Sequence, residues 1–120
     1  MYKILQSTDW SFLVGREVEQ IAIGLYQVQV HLSDDISISI GNDFVHEQNN
    51  ALRPGTTSFH LKAASLANLL GHRVESIKAK AEESLALRFD DGQKLVILVG
   101  PDGEPYESFT VSRPGETIVV

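Results

Sequence analysis

The feature that most constrains this chain is a stretch it states twice. Leu13-Val14-Gly15, followed by Val18, Glu19 and Ile21, returns as Leu69-Leu70-Gly71, followed by Val74, Glu75 and Ile77, at a constant offset of 56 residues. After each copy comes an alternating apolar segment ending in an acidic turn, Leu32-Ser33-Asp34-Asp35 and Phe89-Asp90-Asp91-Gly92. A further alternation then closes each half, at Ile36-Ile38-Ile40 and at Leu95-Ile97-Val99. Two such halves each offer one apolar sheet face that cannot be buried alone, so each needs the other as cover.

Taken in order, Val18 and Ile21 are β-branched but spaced three apart. A strand fits if it carries a β-bulge at Glu19-Gln20, and Glu75-Ser76 is the matching position in the second half. Tyr26, Val28, Val30 and Leu32 alternate with Gln27, Gln29 and His31, which is a strand with one wet face. Asp34-Asp35 and Asp91-Gly92 supply hairpin chemistry. A short strand follows around Phe44–Glu47, so the first half reads as an antiparallel meander. Residues 48–57 are polar, with Asn49-Asn50 and Pro54-Gly55, and read as the longest loop.

One helix is expected, over Ser58–Leu70. Thr57 or Ser58 can cap it, Phe59, Ala63, Leu66, Ala67 and Leu70 form its stripe, and Gly71 ends it. The second half repeats the meander. Lys94–Val99 is apolar on both faces and is expected to be the most buried strand. Pro101-Asp102-Gly103 and Pro114-Gly115 are turns, with strands at Tyr106–Ser112 and at Thr117–Val120. The fold class is α+β and strand-dominated, two antiparallel meanders joined by residues 58–70. The chain reads as one domain, with pseudo-repeat halves 13–47 and 69–111.

Composition excludes more than it assigns. There are 120 residues, no cysteine and a net charge of −6. Disulfides, thiolate metal sites and cysteine nucleophiles are therefore out, and an acidic chain is a poor match for a phosphate backbone. Met1–Ser7 is too short and polar for a signal peptide, and no apolar run has the length to span a bilayer. A cytoplasmic protein with no membrane or nucleic-acid partner is expected.

No catalytic constellation stands out. Asp34-Asp35 and Asp90-Asp91 lack the spacing of a calcium loop and sit where turns are needed, so they read as turn residues and no metal site is assigned. His31, His46, His60 and His72 lack ligand spacing on any one element and read as surface histidines. There is no nucleophile elbow and no phosphate-cradling glycine loop, and no cofactor is expected. Trp10 reads first as an aromatic plug closing the core. As ligand-binding candidates, Trp10, Tyr106 and Glu107 remain, the last two from Tyr106-Glu107-Ser108-Phe109.

Leu13-Val14-Gly15-Arg16-Glu17-Val18, Leu87-Arg88-Phe89-Asp90-Asp91-Gly92 with Leu95, Tyr106-Glu107-Ser108-Phe109 and the Ile118-Val119-Val120 end together resemble a family of small, mostly bacterial proteins classed as a domain of unknown function. The resemblance spans nearly the whole chain and implies no activity. In size and charge the chain is also similar to immunity proteins that neutralise toxins. The first functional expectation is thus a non-enzymatic module that binds another protein, with an immunity-like inhibitor as one form of it. The alternative is a β-rich domain holding a small molecule between its halves, and a hydrolase using an acidic cluster comes third.

Overall fold

A computed structural model describes residues 8–25, 27–41, 44–47, 63–80, 83–99 and 109–120. Nine strands run through them: β1 (Val18–Ile23), β2 (Val28–Leu32), β3 (Ile36–Ile40), β4 (Phe44–Glu47), β5 (Val74–Lys80), β6 (Ser84–Phe89), β7 (Lys94–Leu98), β8 (Phe109–Arg113) and β9 (Glu116–Val119). They form two antiparallel sheets, one of five strands in the order β1-β2-β3-β8-β9 and one of four in the order β4-β7-β6-β5. The fold is strand-dominated, as expected.

Alternation explains the layers. In β2 and β3, Val28, Val30, Leu32, Ile36, Ile38 and Ile40 are buried while the residues between them are half-exposed. In β6 and β7, Leu85, Leu87, Phe89, Leu95 and Ile97 are buried in the same way. These inward faces belong to one hydrophobic cluster, so each sheet is the other's cover. The anticipated bulges are present. Register shifts between Val18 and Gln20 against β2, and between Val74 and Ser76 against β6. The extra residues are Glu19 and Glu75, both exposed, which lets Val18 and Val74 turn inward while the strand continues.

The two meanders are not closed on themselves. β4 leaves β3 and pairs with β7, with Phe44 opposite Ile97, while β8 pairs with β3, with Phe109 opposite Ile40. The four-stranded sheet therefore takes β4 from the first half of the chain, and the five-stranded sheet takes β8, with β9 beside it, from the second. Phe44 and Phe109 are both fully buried, so the exchange plants one large aromatic ring in each sheet's inner face.

Of the expected helix, the part from residue 63 onward is described. Among the described residues it covers 63–69, with Leu66–Leu69 wound as a 3-10 helix. Thr57, Ser58, Phe59 and His60 lie outside the described residues. The tighter winding corrects the expected stripe. Three residues per turn align Ala63, Leu66 and Leu69, which are buried, and leave Ala67 and Leu70 outside. Gly71 follows with φ +83°, a left-handed conformation that favours glycine. β7 also departs from expectation. Leu95 and Ile97 are buried, whereas Val96 and Leu98 face outward and are only half-buried, because nothing described covers that face.

β1 and β5 meet at a seam built from backbone. Gly15 N–H donates to Val74 O (2.7 Å) and Gly71 N–H to Val18 O (2.9 Å). Val18 N–H donates to His72 O and Val74 N–H to Arg16 O, each at 2.9 Å. Glu17 and Arg73 form the β-bridge between these bonds, and their side chains pair at 3.4 Å.

Candidate functional site

Three regions place polar or unpartnered groups together, and they differ in what they can do.

The first begins at Gln93, the one buried polar residue among those described. It follows the β6–β7 turn, where its backbone pairs with Phe89. Its side-chain nitrogen donates to Asn68 O at 2.8 Å and to Asp91 Oδ2 at 2.6 Å. Both amide hydrogens are thereby used, which fixes the amide's orientation and leaves Oε1 facing His46 Nε2 at 2.8 Å. An amide oxygen only accepts, so neutral His46 carries its proton on Nε2. Its Nδ1 then accepts from Ser65 Oγ, 2.8 Å away. Burial is the main cause holding the His46 pKa below its ordinary value, against the opposing effects of Gln93 and Asp91, so the imidazole is neutral near pH 7. The chain of contacts joins β4, the helical turn and the β6–β7 hairpin. A hydroxyl on an imidazole acceptor is half of a nucleophile's machinery. Here the imidazole leans on an amide, and the bonds of His46 to Ser65 and Gln93 and of Gln93 to Asn68 tie one element to another, so the arrangement acts as an internal brace.

The second region is the cluster His72, Asp90 and Asp91, whose ligand atoms lie within 4.8 Å of one another. The β5–β6 register, with Val74 opposite Phe89, brings them together. His72 Nδ1 is 2.9 Å from Asp90 Oδ1 and Nε2 is 3.3 Å from Asp91 Oδ2. Asp90 Oδ2 also accepts Arg73 N–H at 3.2 Å. Desolvation opposes ionisation of Asp91, but the Gln93 bonds and the adjacent His72 outweigh it and hold the carboxyl below its ordinary range. One imidazole and two carboxylates could ligate a divalent cation. These atoms are already engaged with one another and, at Asp91 Oδ2, with Gln93, tying the segment before β5 to the β6–β7 turn. The first half carries a comparable arrangement: Arg16 pairs with Asp34, and Glu17 N–H donates to Ser33 Oγ at 3.1 Å. Asp34 and Asp35 adopt φ +63° and +60°, so they are turn residues as read from the sequence.

The third region is the outer surface of the sheets, and the two surfaces contrast. On the five-stranded sheet, register aligns Gln20, His31, Ser37, Ser112 and Thr117 in one row, with Ala22, Gln29, Ser39, Thr110 and Val119 in the next. Neither row carries an Asp, Glu, Lys or Arg, and some of their groups bond locally, His31 to Gln29 and Ser39 to Gln27. On the four-stranded sheet, Val45, Val96, Ala86 and Lys78 align across all four strands, with Glu47, Lys94, Arg88 and Ser76 on one side. Leu98, Ser84 and Lys80 lie on the other. Val45 is 43% exposed. An apolar row ringed by cations thus crosses one sheet and not the other.

Of the ligand-binding candidates from the sequence, Trp10 alone is among the described residues. Trp10 is 5% exposed and packs on Phe12 and Phe109, with ring centroids 6.4 and 6.1 Å away, so its ring belongs to the core. Tyr106 and Glu107 lie outside the described residues. His46 is not the surface histidine expected: it is half-buried on the inner side of β4. Phe44 alternating with Val45 could have signalled that, since His46 shares the side of Phe44.

The fold and these surfaces define a two-sheet, antiparallel β protein with, among its described residues, a helical turn before β5 and no assembled catalytic centre. A family model described as a family of unknown function (DUF6188) matches residues 10–120, and the chain belongs to that family. No curated protein and no solved structure matches the chain.

Proposed function

We propose that this chain is a protein-binding module without catalytic function, and that the outer face of the β4-β7-β6-β5 sheet is its binding surface. The observation that carries this is the apolar row Val45–Val96–Ala86, extended by Leu98, on a sheet face otherwise made of charged residues and serines. Residues contiguous across three strands offer area that isolated apolar side chains do not. Other exposed apolar residues, Val14, Leu70, Ile23 and Leu25, sit on turns and strand ends. They make no comparable plane.

Binding by such a face, including an immunity-like blocking of a partner, needs only a folded scaffold. The brace at Gln93 and the seam between β1 and β5 supply rigidity to it. We also infer that the two halves are copies of one motif related by a pseudo-twofold axis near the Glu17–Arg73 bridge. The reciprocal bonds of Gly15 with Val74 and of Gly71 with Val18 support this.

The test is affinity copurification from the native host with two matched variants. Val45→Glu and Val14→Glu place the same charge at residues of similar exposure, 43% and 44%. Loss of bound protein in Val45→Glu with retention in Val14→Glu is the expected result. Equal retention by both would remove this face from consideration.

A further inference from the structure

From the charge distribution we infer that the partner bound by this face is an acidic protein surface, one presenting carboxylates around an apolar contact. This inference rests on the protein-binding reading above and names the partner's chemistry.

The chain as a whole is acidic, at −6, yet four of its ten lysines and arginines, Lys78, Lys80, Arg88 and Lys94, project from this one sheet face. Glu47, opposite Lys94, is the one acidic residue at an outward register position there. The outward register positions of this sheet therefore carry four positive charges against one negative, with Glu83 neutralising Lys80 at the edge, on a chain whose total is −6. Elsewhere among the described residues the cations are spent internally: Arg16 on Asp34, Arg73 on Glu17 and Arg113 on Glu116. On this face only Lys80 is paired, with Glu83 at 3.2 Å. Among the described residues, Lys78, Arg88 and Lys94 are in no ion pair, which leaves their charge for a partner. Their placement beside Val45 and Val96 gives an apolar centre with a cationic rim, which is the layout of a specific protein interface.

The same pattern disfavours polyanions. A nucleic acid offers phosphates but no apolar complement to the valine row, and the surrounding negative charge repels an extended polyanion. An anionic bilayer is broad, so it would meet that surrounding negative charge as well.

The experiment is amide NMR on the full chain with four probes. These are a synthetic peptide of about twelve residues alternating Glu and Val, its Gln-for-Glu counterpart, a single-stranded oligonucleotide, and vesicles containing anionic phosphatidylglycerol. The Glu peptide should shift amides of β4, β6 and β7 and bind at least about tenfold more tightly than the Gln peptide. Binding should weaken as salt rises from about 50 to about 500 mM. The triple variant Lys78→Gln, Arg88→Gln, Lys94→Gln should lose that preference while its spectrum stays dispersed. Should the triple variant not fold, Lys78→Gln alone, at an exposed position, with the salt series makes the same comparison. Equal binding of the Gln peptide on this face overturns the acidic-partner inference and leaves the protein-binding reading standing. Binding of the vesicle or oligonucleotide but of neither peptide, or of no probe at all, overturns both.

Discussion

Replacing Gln93 with Ala removes one side chain and breaks three hydrogen bonds, to Asn68 O, Asp91 Oδ2 and His46 Nε2. The Asp91 carboxylate is partly exposed and can turn to water. The Asn68 carbonyl and the His46 N–H are less free to do so, and an unsatisfied buried polar group costs about 1–3 kcal/mol. With two such groups, one of them only half-buried, the expected loss is about 2–4 kcal/mol. At this chain length that lowers the melting temperature by roughly 10 °C. Urea denaturation is the assay, with the midpoint falling and the slope unchanged. Gln93→Leu combined with His46→Phe removes donor and acceptor together, so its cost should fall short of the sum of the single changes. A midpoint for Gln93→Ala within about 0.5 kcal/mol of the parent, the range of ordinary surface changes, would refute the brace.

The other predictions are smaller. Burial lowers the His46 pKa in the folded state below its ordinary 6.5, so the unfolded chain takes up that proton first. Stability from this group is fully present above about 6.5 and is lost as pH falls through the depressed folded value. His46→Phe should flatten that part of a stability-against-pH curve, whatever it does to the absolute stability. Gly15 and Gly71 have φ +85° and +83°, with open space where a Cβ would stand. Gly15→Ala and Gly71→Ala should therefore each cost about 1–2 kcal/mol from backbone strain, and to a similar extent, in thermal melts. Asp35→Asn should leave stability within about 0.5 kcal/mol, since Asn takes the same left-handed turn. Asp90→Asn should cost more, because Asp90 joins both His72 and the Arg73 amide. Neither parent nor variant should melt higher with zinc, and a zinc-dependent rise in the parent alone would make His72, Asp90 and Asp91 a metal site.

What the sequence made legible was local. Period-two alternation marked β2, β3, β6 and β7, and the three-residue gaps at Val18–Ile21 and Val74–Ile77 marked both bulges, because bulge and alternation are written in consecutive residues. Partner choice between strands is not written locally. Nothing in Phe44–Glu47 or Phe109–Arg113 says that each joins the sheet of the other half. The 3-10 winding was also hidden, since Ala63, Leu66, Ala67 and Leu70 fit a regular helix as well as Ala63, Leu66 and Leu69 fit a tighter one. For the same reason the candidate surface escaped notice. Val45, Ala86, Val96 and the cations at 78, 88 and 94 are scattered through the sequence as ordinary surface residues, and only the β4-β7-β6-β5 register gathers them onto one face.

The most direct test of the account is a photo-cross-linking scan in the native host. A benzophenone side chain is placed in turn at outward positions of the four-stranded sheet, Ser84, Ala86 and Val96, and of the five-stranded sheet, Gln29, Ser39 and Thr110. The account predicts that one protein is captured from positions 84, 86 and 96 and not from 29, 39 and 110. Capture from the five-stranded sheet alone, or equal and unselective capture from both, would contradict it.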